Sequence, residues 1–145
     1  MEQLPIFLEL KGKNVVVVGG GTIAARKADL VLRAGGDVLV VAEVLGDEFV
    51  ELAHHPRLTH RIGAPAPGDL DSALTVFSCM VDEAADRSVV EMARAKGVLV
   101  NVPDTPDLSD FVMPAILDRS PLVVAVSSGG ASPLLVRIIK ERLES

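Results

Sequence analysis

Short aliphatic runs alternate with amphipathic stretches along most of the chain. The runs Asn14–Val18, Asp37–Ala42 and Ala73–Cys79 are mostly apolar, as in strands that are buried on both faces of a sheet. Thr22–Ala34 and Glu83–Lys96 are predicted as helices, the first from inward-facing positions at steps of three and four residues. The pattern therefore predicts a sheet whose strands are joined by helices.

Weaker patterns add three further elements to this order of strands and helices. Leu58–Ile62 and Val98–Val102 are predicted as further strands, and Gly46–His54 as a short helix. Strands that alternate with helices along a chain are typical of parallel sheets. The predicted fold class is therefore α/β, with a Rossmann-type doubly wound parallel sheet.

The last part of the chain has a different pattern. Phe111–Ile116 and Leu122–Val126 are two β-like runs, and residues 117–121 between them are predicted as the loop of a β-hairpin. Ser132–Leu143 is predicted as a C-terminal amphipathic helix, because Ser132 is a good N-cap and Pro133 suits the first helical position.

Composition and charge exclude several classes of protein. Apolar residues make up 49% of the 145 residues, with no Trp or Tyr, so the core must be built from Val, Leu, Ile and Ala. The net charge of −6 argues against a nucleic-acid partner, which calls for a basic surface. No apolar run reaches the roughly 18 residues of a membrane span, and Met1–Leu10 has no basic residue, unlike a signal peptide. We therefore expect a cytoplasmic protein with no membrane partner.

The sharpest local motif is a glycine-rich turn. Residues 19–24 read Gly-Gly-Gly-Thr-Ile-Ala, which matches G-x-G-x-x-A between a strand and a helix. Gly19 permits the tight turn, and Gly21 lets the backbone approach a pyrophosphate. The helix that opens at Thr22 and Ile23 offers free N–H groups and a positive dipole end to the phosphates. A turn with no ligand would explain the same glycines, but the motif in this context favours dinucleotide binding.

An acidic residue at the end of the second strand would determine whether the site binds NAD or NADP. Glu43 stands about 20 positions after the glycine turn, where a carboxylate binds the ribose hydroxyls. A carboxylate there repels a 2′-phosphate, so the predicted cofactor is NAD. No metal cofactor is predicted, because Cys79 is the single cysteine and the three histidines have no metal-like spacing.

Asp104 lies in the loop that follows the fifth predicted strand. Pro103 and Pro106 restrict its backbone, and ligands of open α/β sheets bind at the carboxyl ends of the strands. A carboxylate there could take a proton while hydride leaves a substrate. On the pattern alone, a simple turn aspartate is the better explanation.

These pieces, taken in order, resemble the precorrin-2 dehydrogenase family, which includes the N-terminal module of siroheme synthase. The resemblance covers essentially the whole chain, and its specificity comes from the order and spacing of the motifs. Besides the glycine turn, these motifs are Leu4–Phe7, Ala25–Lys27, Asn101–Asp104, Phe111–Ala115, Asp118–Leu122 and Val126–Pro133.

The resemblance implies an activity and a division of the chain. The family oxidises precorrin-2 to sirohydrochlorin with NAD, and some members also insert iron as ferrochelatases. The aspartate of the family's N-V-x-D motif, its proposed general base and chelatase residue, corresponds to Asp104. The resemblance further implies an NAD-binding Rossmann domain over residues 1–110 and a dimerisation and substrate segment over residues 111–145, in a homodimer.

The substrate implied by the resemblance carries eight carboxylates. Ser127 and Ser128 could offer hydroxyls and N–H groups to one of them, although the same residues could form only a flexible turn. Ser128 could alternatively accept a phosphate. Arg119 and Arg137 are candidate partners for further carboxylates by their fork geometry, or are solvated surface residues.

The chain departs from the family pattern in three places. Residues 79–82 read Cys-Met-Val-Asp where members often carry Ala-Thr-Asp, and Glu43 stands where a Val-Ala-Pro turn is usual. Longer relatives continue beyond the position of Ser145, so we expect the chain to be a truncated or a minimal member. Two other functions fit the same motifs: a protein that acts mainly as a chelatase, and a non-catalytic NAD-sensing module.

Overall fold

A computed structural model describes all residues, 1–145, and the chain divides into two compact units. The larger unit contains Leu8–Phe111. The smaller unit contains Met1–Phe7 together with Val112–Ser145.

The larger unit is built on a five-stranded, wholly parallel sheet in the order β3-β2-β1-β4-β5. Its strands are β1 (Asn14–Val18), β2 (Asp37–Val41), β3 (Leu58–Arg61), β4 (Ala73–Ser78) and β5 (Leu99–Asn101). Its helices are α1 (Thr22–Arg33) and α2 (Glu83–Ala95). This arrangement confirms the predicted Rossmann-like α/β fold and brings the carboxyl ends of all five strands to one edge.

The valine run of β1 shows why the sequence folds in this way. Side chains alternate between the two faces of a strand, and Val15–Val18 are all buried, so both faces of β1 are covered. Val16 and Val18 pack in a cluster with Val89 and Ala93 of α2. A strand with one solvent face would need polar residues at alternate positions, which the run lacks.

Each of the two helices of the larger unit is anchored at one end by a polar side chain. The Asp82 carboxylate accepts a hydrogen bond from the Ala85 N–H (3.0 Å) and caps the start of α2. At the end of α1, the Arg57 guanidinium donates to the carbonyls of Leu32 (2.8 Å) and Gly36 (2.9 Å). Charged donors at these carbonyls complement the negative end of the helix dipole.

Two predicted elements of this unit differ in extent. Gly46–His54 is not one helix but two 3-10 turns, Asp47–Phe49 and Leu52–His54, closed by bonds to the third residue back. The fifth strand is shorter than Val98–Val102, because Val98 N bonds to Ala93 O at the end of α2 and Val102 N bonds to Ser109 Oγ. The N–H groups of both end residues therefore do not bond to a neighbouring strand.

The smaller unit contains an antiparallel hairpin and a helix. Its elements are β6 (Ala115–Arg119), β7 (Leu122–Val126) and α3 (Pro133–Glu144). The predicted placement of the first strand at Phe111–Ile116 is wrong, because pairing continues to Arg119 and the loop holds only two residues. The Asp118 carboxylate makes this tight turn possible by accepting from the N–H (3.0 Å) and the hydroxyl (2.6 Å) of Ser120.

Helix α3 begins as predicted but buries none of its side chains. Ser132 Oγ accepts from Leu135 N (3.2 Å), the expected N-cap bond. Five large apolar side chains of α3 are between 38% and 57% exposed. These side chains, called the α3 apolar face below, are Leu134, Leu135, Ile138, Ile139 and Leu143. No helix of the chain has the length and apolar character needed to span a membrane.

Candidate functional site

The glycine turn leaves β1 at the carboxyl edge of the sheet and packs tightly on one side. Gly19 has a φ of +122°, and a Cβ there would overlap the carbonyl oxygen of Cys79 at the end of β4. A Cβ on Gly20 would overlap the carbonyl oxygen of Val44, and Gly20 O accepts from Gly46 N (2.7 Å). The first two glycines are therefore required by close backbone packing, a role that sequence analysis did not assign to Gly20.

Gly21 is different, because its open side faces no protein atom. A Cβ there would have no other atom within 4 Å, and Gly21 is the N-cap of α1 without a side-chain cap. The first N–H groups of α1, at Thr22 and Ile23, have no partner within the helix. Open space, free donors and a positive helix end together fit the pyrophosphate of a dinucleotide.

The Thr22 side chain is held by an acidic residue from the segment after β2. Its hydroxyl donates to Glu48 Oε1 (2.6 Å), and this bond lowers the pKa of Glu48. The hydroxyl is thus already bonded, so Thr22 would contact a phosphate through its backbone N–H. Glu48 was not found from the sequence, because its separation from Thr22 carries no local pattern.

Glu43 lies where the sequence placed it, two residues beyond the end of β2. Its side chain is exposed and makes no hydrogen bond. A carboxylate free at this edge can accept hydrogen bonds from ribose hydroxyls.

Asp104 stands at the tip of a braced loop beyond β5. Its φ of +61° is one that aspartate tolerates better than most residues, and Thr105 N closes the turn on Val102 O (3.0 Å). Ser109 Oγ accepts from Val102 N (2.9 Å) and lies 2.9 Å from Thr105 O, within donating distance. The Asp104 carboxylate itself is exposed and has no hydrogen bond, so it is available as a base.

A lysine from α1 approaches this loop, which sequence analysis did not recognise. Lys27 is half-buried, with Nζ 5.7 Å from the centre of the Phe77 ring. Burial lowers the pKa of Lys27, while the nearby side chains of Cys79 and Asp104 act in the opposite direction. The available signal was its place on the inward-facing side of α1, which is unusual for a lysine.

Two buried groups lie near the carboxyl ends of β4 and β5. Burial raises the pKa of the Cys79 thiol to about 12, so it stays protonated and is a poor nucleophile. Asn101 Nδ2 donates to Phe111 O (2.9 Å), whereas Asn101 Oδ1 is the one buried side-chain polar atom without a partner.

The smaller unit contains a cavity of about 330 Å³ with mixed polar and apolar walls. Ser127, Ser128 and Arg137 line it, together with Lys140, which sequence analysis did not single out. Ser127 Oγ accepts from Gly129 N (3.1 Å) and Ser128 Oγ from Ser132 N (3.0 Å), so each hydroxyl keeps its proton for a ligand. Two hydroxyls and two cations fit a carboxylate, which would share the cations with their partners on α3, Glu141 (4.0 Å from Arg137) and Glu144 (3.4 Å from Lys140).

Arg119 is not among the residues that line this cavity. It is the register partner of Leu122 at the hairpin turn, while Ser127 follows the opposite end of β7. Its guanidinium is exposed and donates to the Asp118 carbonyl (3.3 Å). The structure therefore groups three of the four predicted substrate residues and leaves Arg119 apart.

Two family models match the chain. A model described as NAD(P)-binding matches residues 6–115, and a model described as sirohaem biosynthesis protein central matches residues 119–145.

Curated relatives and a solved structure indicate the same family. Siroheme synthases of Thiobacillus denitrificans and Nitrosomonas eutropha are 47% and 44% identical over the whole chain. The chain spans only 30% and 31% of their lengths. The solved structure of SirC, a precorrin-2 dehydrogenase, is 32% identical with a TM-score of 0.84, and the match covers 98% of this chain and 70% of that one.

Proposed function

Since this chain belongs to the NAD(P)-binding family of precorrin-2 dehydrogenase and the siroheme synthases, we propose that it oxidises precorrin-2 to sirohydrochlorin with NAD, in siroheme biosynthesis. One observation carries the proposal beyond family membership: the larger unit has both an open dinucleotide cradle at Gly21 and an unpaired carboxylate, Asp104, on the carboxyl side of its sheet.

The residues of the glycine turn and β2 would hold the cofactor. Backbone N–H groups of Thr22 and Ile23 bind the pyrophosphate at Gly21, with Gly19 shaping the turn, and Glu43 accepts from ribose hydroxyls. Bound NAD supplies the acceptor for a hydride. We assign this role to the domain predicted over residues 1–110, of which Leu8 onwards belongs to the larger unit and Met1–Phe7 to the smaller one.

Asp104 would take the proton that the cofactor cannot. Oxidation of precorrin-2 removes one hydride and one proton, and NAD accepts only the hydride. A free carboxylate on a braced loop is suited to accept the proton and pass it to water. Lys27 interacts electrostatically with Asp104, so a positive charge lies near the proposed base.

The second part of the chain would bind the substrate's acidic side chains. Ser127, Ser128 and Arg137 line a cavity whose donors match a carboxylate, and Lys140 adds a further cation. Arg119 stays a prediction as a separate carboxylate partner. We assign residues 111–145 to substrate binding and dimerisation.

We expect a homodimer in solution. The α3 apolar face is exposed, as are Leu122 (67%) and the N-terminal Phe7 (70%) of the same unit, and clustered exposed apolar side chains mark protein–protein interaction sites. Sedimentation at micromolar concentration should show a dimer, and Ile138→Glu should shift it towards monomer.

Val50→Glu serves as the matched control for that variant. Val50 is an exposed apolar residue (64%) of the larger unit, outside the proposed interface, so this variant should remain dimeric. A parent protein that sediments as a monomer would overturn the dimer proposal.

The discriminating experiment is the consumption of NAD with and without the tetrapyrrole. The proposed dehydrogenase reduces NAD only when precorrin-2 is present. An NAD-sensing module would bind NAD but leave it oxidised in both samples. That second outcome would overturn the proposed function, while ferrochelatase activity stays a separate prediction for Asp104.

A further inference from the structure

An arginine at the carboxyl end of β3 interacts with two carboxylates, Asp69 and Glu43. Arg61 ends β3 and is the register partner of Val41, which ends β2, and Glu43 follows two residues later. Ala42 N donates to Arg61 O (3.3 Å), which ties the two chain segments together beyond the paired strands. The end of β2 is the edge at which this fold meets the adenosine ribose of a dinucleotide.

The Arg61 guanidinium forms a hydrogen-bonded ion pair with Asp69. Nε and Nη2 donate to the two Asp69 oxygens, each at 2.5 Å, and Nη2 also donates to Ala64 O (2.7 Å). This is a bidentate fork, the strongest geometry for such a pair. Three of its five N–H donors are therefore occupied by these bonds, and Nη1 has only a long contact with Ile62 O (3.5 Å).

Asp69 is fixed and shielded. Its side chain is only 8% exposed, and its Oδ2 also accepts from Ala66 N (2.8 Å). Desolvation opposes the charge on Asp69, but the bonds from Arg61 and from the Ala66 N–H outweigh it, so the pKa of Asp69 is lowered. The carboxylate thus stays ionised and neutralises Arg61 at any physiological pH.

The charge balance at this edge bears on the choice between dinucleotides. The 2′-phosphate of NADP needs an unpaired cation, and an arginine near the end of β2 is the usual one. Here Glu43 has no hydrogen bond, and Arg61 interacts with it electrostatically while its fork is turned to Asp69. The edge offers a ribose acceptor, and the charge of Arg61 is already paired with Asp69.

We propose that Asp69 determines cofactor specificity by sequestering Arg61, so that the edge beside Glu43 accepts NAD and rejects NADP. The inference rests on the proposed NAD-binding role of this edge. It adds a residue that does not touch the cofactor but acts through Arg61.

Asp69→Asn tests the inference by removing the charge that holds Arg61. Calorimetry should show that the variant binds NADP about two- to fivefold more tightly than the parent does, the size of one exposed charge contact, while its Kd for NAD is unchanged. The matched control is Asp71→Asn, which removes an exposed carboxylate two residues away and should alter neither Kd.

Further variants keep the test decisive. Asp69→Ser, whose hydroxyl can still accept from Ala66 N, replaces the Asn variant if that one does not fold. Arg61→Gln combined with Asp69→Asn should return NADP affinity to the parent value, because the freed cation is then absent. The inference is overturned if Asp69→Asn leaves the NAD-to-NADP ratio unchanged, or if Asp71→Asn changes it equally.

These measurements use no tetrapyrrole, so they separate two kinds of failure. A parent protein that binds neither dinucleotide would overturn the proposed function. A parent that binds NAD and NADP equally would overturn the specificity inference and leave the dehydrogenase proposal standing.

Discussion

Asp104→Asn is expected to slow precorrin-2 oxidation by roughly 10²–10⁴-fold while leaving NAD affinity unchanged, because a positioned base contributes about that factor. Asparagine keeps the size of the side chain and can adopt the same positive φ, so the loop should stay intact. Only the ability to take a proton is lost. Single-turnover rates under anaerobic conditions, with calorimetry for NAD, measure the two effects separately.

Asp107→Asn is the matched control for this variant. Asp107 is exposed in the same loop, three residues after Asp104, and its neutralisation should leave the rate within about twofold of the parent. Oxidation by the Asp104 variant at the parent rate would mean that water or another group takes the proton. If iron insertion is also observed and survives the change, the idea of one shared residue for both reactions fails separately.

Gly21→Asp should abolish detectable NAD binding without unfolding the protein. The backbone at Gly21 has an ordinary φ of −90°, and a side chain there would enter open space, so the fold tolerates it. That same space is where we place the pyrophosphate, and an aspartate would fill it with bulk and negative charge. Calorimetry should therefore detect no NAD binding by the variant, while its thermal midpoint of unfolding stays near the parent value.

Gly20→Ala provides the contrast. Its Cβ would overlap the Val44 carbonyl, so this smaller change should lower the thermal midpoint. Retention of parent NAD affinity by Gly21→Asp would show that the pyrophosphate lies elsewhere.

The elements that sequence analysis placed correctly are those with strong local signals. The valine run of β1, buried on both faces, and the glycine turn into α1 each combine a hydrophobic pattern with a defined turn. The hairpin was misplaced because the apolar residues after Phe111 resemble a strand, whereas the pairing is set by the two-residue turn after Arg119. Local propensity does not encode that register.

The site residues also divide into those with a local sequence signal and those without one. Gly21 and Glu43 stand at fixed offsets from the first strand, so a spacing rule finds their positions, and Asp104 is marked by its family motif. Lys27 and the Arg61–Asp69 pair are missed because their significance depends on burial and on partners brought close only by the fold.

The most direct test of the central claim is anaerobic incubation of the protein with precorrin-2 and NAD, with NADH and sirohydrochlorin quantified in the same sample from their absorption spectra. The account predicts that the two products form together in a one-to-one ratio, and that neither forms when NAD or the protein is omitted. Sirohydrochlorin that forms at the same rate without NAD, or NAD that stays oxidised with precorrin-2 present, would contradict it.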